Sequence, residues 1–196
     1  MRILLCFLFS FAAHAQNKKM VIIGDSLTEG YGVSRAQSYP TLLQAKIKTA
    51  GLKWDVINSG ISGSTSASAS SRVKWHLKQK PDLIVLALGA NDGLRGTSVK
   101  AMRGNLEAGI DLSKKAGVKT ILVGIRMPPN YGAAYTKEFE AAFKQVADKT
   151  KVRLIPFLLL DVAGKKELNL TDGIHPNEKG HAIIAETMFQ ALKADL

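Results

Sequence analysis

The stretch Val21-Ile22-Ile23-Gly24-Asp25-Ser26-Leu27-Thr28 decides how this chain is read. Three β-branched residues in a row, preceded by Lys18-Lys19 and stopped by Gly24, are the pattern of a short strand buried on both faces. Ser26 then falls just past the strand's carboxyl end. Open parallel sheets present ligand-binding and catalytic groups there, because the loops vary while the strands hold them rigidly. Taken alone, a serine in this place is read as the cap of the next helix. The reasons to read it otherwise lie downstream.

Strand and helix patterns alternate from here to the end. Ser38-Tyr39-Pro40 opens a helix to about Ala50, with proline in its first turn and Gly51 as the stop. A strand is expected at about Trp54 to Asn58, followed by the small-residue loop Gly60-Ile61-Ser62-Gly63-Ser64-Thr65-Ser66, with helical periodicity resuming near Ser70. Asp82 to Leu88 reads as a third buried strand, ending in Gly89-Ala90-Asn91-Asp92-Gly93. A helix at about Ser98 to Lys115, a strand at Thr120 to Gly124 and the loop Ile125 to Gly132 come next. Phe139, Ala142, Phe143 and Val146 mark a helix over Tyr135 to Thr150 by their three- and four-residue steps. A short strand ending near Pro156 and a helix over about Asn177 to Lys193 complete the pattern. The expectation is an α/β domain over residues 16–196, a mainly parallel sheet with helices on both faces.

At 196 residues the chain has room for one ordinary domain with a real core. Residues 1–15 differ from the rest: Arg2, an apolar run from Ile3 to Ala13, then Ala13-His14-Ala15. That is the order of a secretory signal peptide cut before Gln16, and the run is shorter than the ~20 apolar residues of a membrane span. Export to the periplasm or medium is therefore expected, without stable membrane insertion. Cys6 lies within this leader, so the mature chain would lack cysteine, and with it disulfides, a thiol nucleophile and zinc-thiolate chemistry. The formal charge is +11, or +10 once Arg2 is removed. Its lysines are spread over nearly every expected helix, and no nucleic-acid motif accompanies them, so a solvated basic surface is the reading and no nucleic-acid partner is expected.

If the strands are parallel, Ser26, the Gly60 to Ser64 loop, Asn91 and the loop after residue 125 share one sheet edge. A serine nucleophile there needs a base, and the mature chain offers His76, His175 and His181. His76 reads as a surface position on a helix, and His181 falls inside the last helix. His175 lies in the loop Asp172-Gly173-Ile174-His175-Pro176-Asn177, three residues after an aspartate that a turn can bring back to the ring. Such an acceptor on one imidazole nitrogen leaves the other free to take the serine's proton. The Ser26 amide, a loop glycine N–H and the Asn91 side-chain amide are candidate donors to a developing oxyanion. Thr28 occupies the last place of Gly-x-Ser-x-Gly, which disfavours the α/β-hydrolase elbow.

These residues together resemble the SGNH (GDSL) hydrolase family, close to its bacterial thioesterase I / protease I / lysophospholipase branch. Gly24-Asp25-Ser26-Leu27 looks like its first block, Ile61-Ser62-Gly63 with Thr65 like its second, Gly89-x-Asn91-Asp92 like its third and Asp172-x-x-His175 like its fifth. The resemblance implies Ser26 as nucleophile, His175 as base and Asp172 as its orienting acid, with Ser26, Gly63 and Asn91 donating to the oxyanion. It also implies a three-layer α/β/α sandwich on a five-stranded parallel sheet, of flavodoxin-like type, and no metal or other cofactor. Ser64 is a departure at a place where related sequences of this branch can carry aspartate.

The activity expected is hydrolysis of acyl esters, acyl-thioesters or lysophospholipids through an acyl-serine, by a monomer. Leu94, Met127, Pro128 and Tyr131 are the expected lining of an apolar acyl pocket. A carbohydrate O-acetylesterase and an exported, non-catalytic binding module remain open as alternatives.

Overall fold

The computed structural model describes residues 16–196, so the leader read in residues 1–15 lies outside the described residues. Strand β1 (Lys18–Gly24) is the centre of the architecture. It pairs in parallel with β2 (Trp54–Gly60) on one side and β3 (Leu83–Ala87) on the other. Beyond β3 lie β4 (Lys119–Val123) and β5 (Arg153–Ile155), giving a five-stranded parallel sheet in the order β2-β1-β3-β4-β5. Met20 through Ile23 and Leu83 through Leu86 are fully buried, as expected of strands covered on both faces. Each such side chain contributes roughly 1.5–3 kcal/mol of burial.

The strand begins at Lys18, earlier than the apolar run, because the lysines lie at the exposed end of the ladder opposite Trp54 and Asp55. Asp82 stays outside β3 and accepts the Lys19 N–H at 2.8 Å.

Helices α2 (Tyr39–Thr49) and α7 (Glu178–Leu192) pack against each other on one face. The helices α3 (Ala69–Leu77), α5 (Val99–Lys115) and α6 (Ala133–Thr150) form a row on the opposite face. This division follows from right-handed crossovers: the chain leaves β1 toward β2, then returns past β1 to β3 and continues the same way. The reversal creates a switch point between β1 and β3, where sheets of this order open a crevice for ligands. Ser26 sits at that crevice.

Two short helices escape the periodicity reading, α1 (Ser26–Glu29) and α4 (Ala90–Leu94). Gly60 shows how tightly α1 is seated: a Cβ there would lie 2.0 Å from the Glu29 nitrogen, so only glycine lets β2 end beside this helix. Among the described residues no helix is long and apolar enough to cross a membrane.

Candidate active site

The registers Gly24↔Gly60 and Gly24↔Ala87 bring the ends of β1, β2 and β3 level, so the loops after them meet. Asp25 caps α1 by accepting the Leu27 N–H at 3.0 Å. The cap is thus the aspartate, and the Ser26 hydroxyl in the first turn is left for other work. It lies 2.9 Å from Nε2 of His175, whose Nδ1 lies 2.8 Å from Oδ2 of Asp172. The other carboxylate oxygen, Oδ1, accepts the backbone N–H groups of Ile174 and His175, each at 3.0 Å. Asp172 therefore shapes the loop with one oxygen and orients the ring with the other. Partial burial raises its carboxyl, but the bonds from the His175 backbone, the His175 ring and Ile174 outweigh that and hold it below its ordinary value.

With Nδ1–H donated to a carboxylate, Nε2 is the acceptor facing Ser26 Oγ. The three residues that sequence spacing singled out therefore form one unbroken relay from carboxylate to hydroxyl.

The candidate oxyanion donors come from three strand ends. Among the described residues neither the Ser26 nor the Gly63 N–H donates to a protein acceptor. Gly63 has φ +76°, and its carbonyl accepts from Arg95 Nη2 at 3.1 Å, which turns the peptide in this loop. Asn91 Nδ2 donates one hydrogen to the Ser64 carbonyl at 3.0 Å, leaving its second hydrogen available. Neighbouring Asp92, buried, accepts from the Ser66 N–H at 2.7 Å and from the Ser66 hydroxyl at 2.6 Å, and Glu29 accepts from the Ser62 N–H at 2.7 Å. The second loop is held at Ser62, Gly63, Ser64 and Ser66, so serine at 64 serves here through its backbone alone. Asn91→Ala is expected to lower kcat by about 10²–10³-fold, the typical loss of one oxyanion donor. Steady-state kinetics on a soluble ester checks it.

A cavity of about 390 Å³ opens beside the relay, with Ser26, Asn91 and His175 in its wall. Leu94, Met127 and Pro128 line it as expected. Tyr131 does not: its hydroxyl reaches back to donate to the Leu94 carbonyl at 3.2 Å, so it buttresses the loop from outside. Gly63 is likewise outside this wall and belongs to the loop above Ser26. Ile125, Phe157, Leu159 and Ile174 also line it, beyond the residues expected. The run Phe157-Leu158-Leu159-Leu160 was the available signal. Arg126 stands at the cavity with its guanidinium over the Phe157 ring at 5.0 Å and paired to Glu140 at 2.8 Å.

The two remaining histidines among the described residues are buried. His76, read as a surface residue, instead packs inward with Nε2 2.8 Å from Ser59 Oγ, beside Arg72, which donates to the Gly24 carbonyl at 2.8 Å. His181 accepts the Tyr39 N–H on Nδ1 at 3.2 Å, and burial lowers its pKa to about 4. Burial raises Asp25 to about 6.

These two groups oppose each other in acid. Between pH 6 and 4 folded Asp25 holds a proton that the unfolded chain releases, so its contribution to stability grows as pH falls. Folded His181 refuses a proton that the unfolded chain takes up below about 6.5, so its contribution is lost as pH falls. Over the window from pH 6.5 to 4 each amounts to about 2–3 kcal/mol. Asp25→Asn keeps the cap acceptor and removes only the first. Urea unfolding should show the variant losing about 2 kcal/mol more than the parent between pH 6.5 and 4.

The model of the GDSL-like Lipase/Acylhydrolase family matches residues 22–183. The chain is 38% identical over 182 residues to an arylesterase of Vibrio mimicus, covering 92% of this chain and 91% of that protein. It is 36% identical over 187 residues to thioesterase 1/protease 1/lysophospholipase L1 of Escherichia coli K12, covering 95% and 88%. A crystal structure of the psychrotrophic esterase EstA from Pseudoalteromonas, inhibited by monoethylphosphonate, superposes with a TM-score of 0.87 at 38% identity over 91% of this chain and 98% of that one.

Proposed function

Because the chain belongs to the GDSL-like lipase/acylhydrolase family and is a serine hydrolase of esters and thioesters, we propose that Ser26, His175 and Asp172 carry its chemistry, with Ser26, Gly63 and Asn91 stabilising the oxyanion. The single observation behind this is the relay Asp172 Oδ2, His175 Nδ1, His175 Nε2, Ser26 Oγ, with steps of 2.8 and 2.9 Å across the ring.

Ser26 Oγ attacks the acyl carbon while His175 Nε2 takes its proton, and the carbonyl oxygen becomes an oxyanion beside the free N–H groups. The intermediate collapses by breaking the bond to the alcohol or thiol, which leaves with the proton from His175. Water then attacks the acyl-serine, passes a proton to His175 and releases the acid as Ser26 recovers its hydrogen. Asp172 stays ionised throughout and keeps the ring oriented.

The cavity supports an acyl chain longer than acetyl, since its apolar walls continue past Asn91 to Phe157 and Leu159. The leader-like order of residues 1–15 supports a periplasmic or secreted enzyme. The test is hydrolysis of p-nitrophenyl esters of rising chain length by the mature protein, beside a Ser26→Ala control. Turnover rising from acetate toward longer chains supports the reading. Turnover of acetylated sugars only would favour the O-acetylesterase, and no turnover above the control would leave a binding module.

A further inference from the structure

Tyr31 takes no part in the relay, yet its ring lies on the His175 imidazole, centroids 4.6 Å apart at an interplanar angle of 41°. The tyrosine is 52% exposed while the His175 side chain beneath it is 18% exposed, so the tyrosine is the cover and the imidazole the covered group. Its aim is set by backbone. The Gly30 and Tyr31 N–H groups both donate to the Ser26 carbonyl at 3.1 Å, tying this segment to the nucleophile residue itself. On either side, Gly30 at φ +91° and Gly32 at φ +80° thread the chain past Ser38 and Leu170, where a Cβ would come within 2.6 and 2.3 Å of those side chains. Leu170 in turn donates its N–H to the His175 carbonyl at 2.7 Å, so cover and covered ring share one frame.

The relay holds the ring by its two nitrogens, Nδ1 donating to Asp172 and Nε2 accepting from Ser26. Together with the Cβ–Cγ bond these set the ring's place, and the Tyr31 ring adds a contact that resists its tilting away. An aromatic face also favours an imidazolium over a neutral ring, and His175 carries that charge while the acyl transfer proceeds.

We propose that Tyr31 is a positioning residue for His175, restricting the imidazole to the orientation that serves Ser26 and Asp172 together and stabilising its charged form. The inference rests on His175 being the proton acceptor proposed above.

The experiment compares Tyr31→Phe and Tyr31→Ala in the mature protein, with a soluble p-nitrophenyl ester and with proton NMR of the imidazole N–H shared with Asp172. The Phe variant should keep kcat within about twofold and keep the downfield resonance. The Ala variant should lose about five- to tenfold in kcat at unchanged KM, with the resonance broadened. The inference is overturned if Tyr31→Ala retains both kcat and the resonance, if Tyr31→Phe is as impaired as Tyr31→Ala, or if the loss falls on KM alone. Ser26→Ala and His175→Ala in the same assay keep the two levels apart. Turnover in those controls would refute the underlying reading, whereas inactive controls beside an unimpaired Tyr31→Ala refute only the role of Tyr31.

Discussion

His175→Ala is expected to lower kcat for a soluble ester by about 10⁶-fold while leaving KM within a few-fold. The imidazole is the group within hydrogen-bond reach of Ser26 Oγ, and the two other histidines among the described residues are committed elsewhere, His76 to Ser59 and His181 to Tyr39. No neighbour can take its place. A serine hydroxyl without a base is a weak nucleophile, and what survives its loss in such enzymes comes from the oxyanion donors and substrate binding. KM should be spared because most of the cavity wall is hydrocarbon unconnected with the ring, from Leu94 and Met127 to Phe157 and Leu159. The folded state should survive too, since His175 lies in a loop, in the wall of the cavity and beside the exposed Tyr31 ring. Steady-state kinetics with a thermal melt of the same sample checks both halves.

Asp172→Asn is expected to cost about 10⁴-fold in kcat with little change in melting temperature. Asparagine keeps an oxygen for the N–H groups of Ile174 and His175, so the turn should hold. Its amide, however, presents N–H where Nδ1–H now donates, which turns the imidazole to the tautomer with hydrogen on Nε2 and nothing to accept from Ser26. Asp172→Ala removes both functions, so it should lose activity and also loosen the turn. A gap in stability between the two variants, at similar activity, separates the orienting oxygen from the structural one.

The fold was legible where burial is two-sided. Val21-Ile22-Ile23 and Leu83 to Leu86 are runs whose apolar character admits little else, and alternation with amphipathic helices then implied a parallel sheet. The pieces that deliver the chemistry were less so. The short helices α1 and α4 carry Ser26 and Asn91, and four or five residues are too few to show a 3.6 period. The segment from Phe157 to Asn169 has no period either, being built of turns, and it supplied the unforeseen wall of the cavity. Asp172 and His175 could be paired from their spacing because the contact is local. Tyr31 and His175 touch across most of the chain, and no local pattern announces such a contact. Tyr131 was misplaced for a related reason: a loop sequence says that a side chain is near a site, not which side of the loop it occupies.

The claim on which the rest depends is that the hydroxyl at position 26 is made nucleophilic by the imidazole at position 175. The direct measurement is the site and rate of labelling of the protein by a fluorophosphonate, read by peptide mass spectrometry. One adduct on Ser26, forming in the parent and slowed by orders of magnitude in His175→Ala, is the result the geometry predicts. Labelling at another residue, or at Ser26 with the same rate in both proteins, would contradict it.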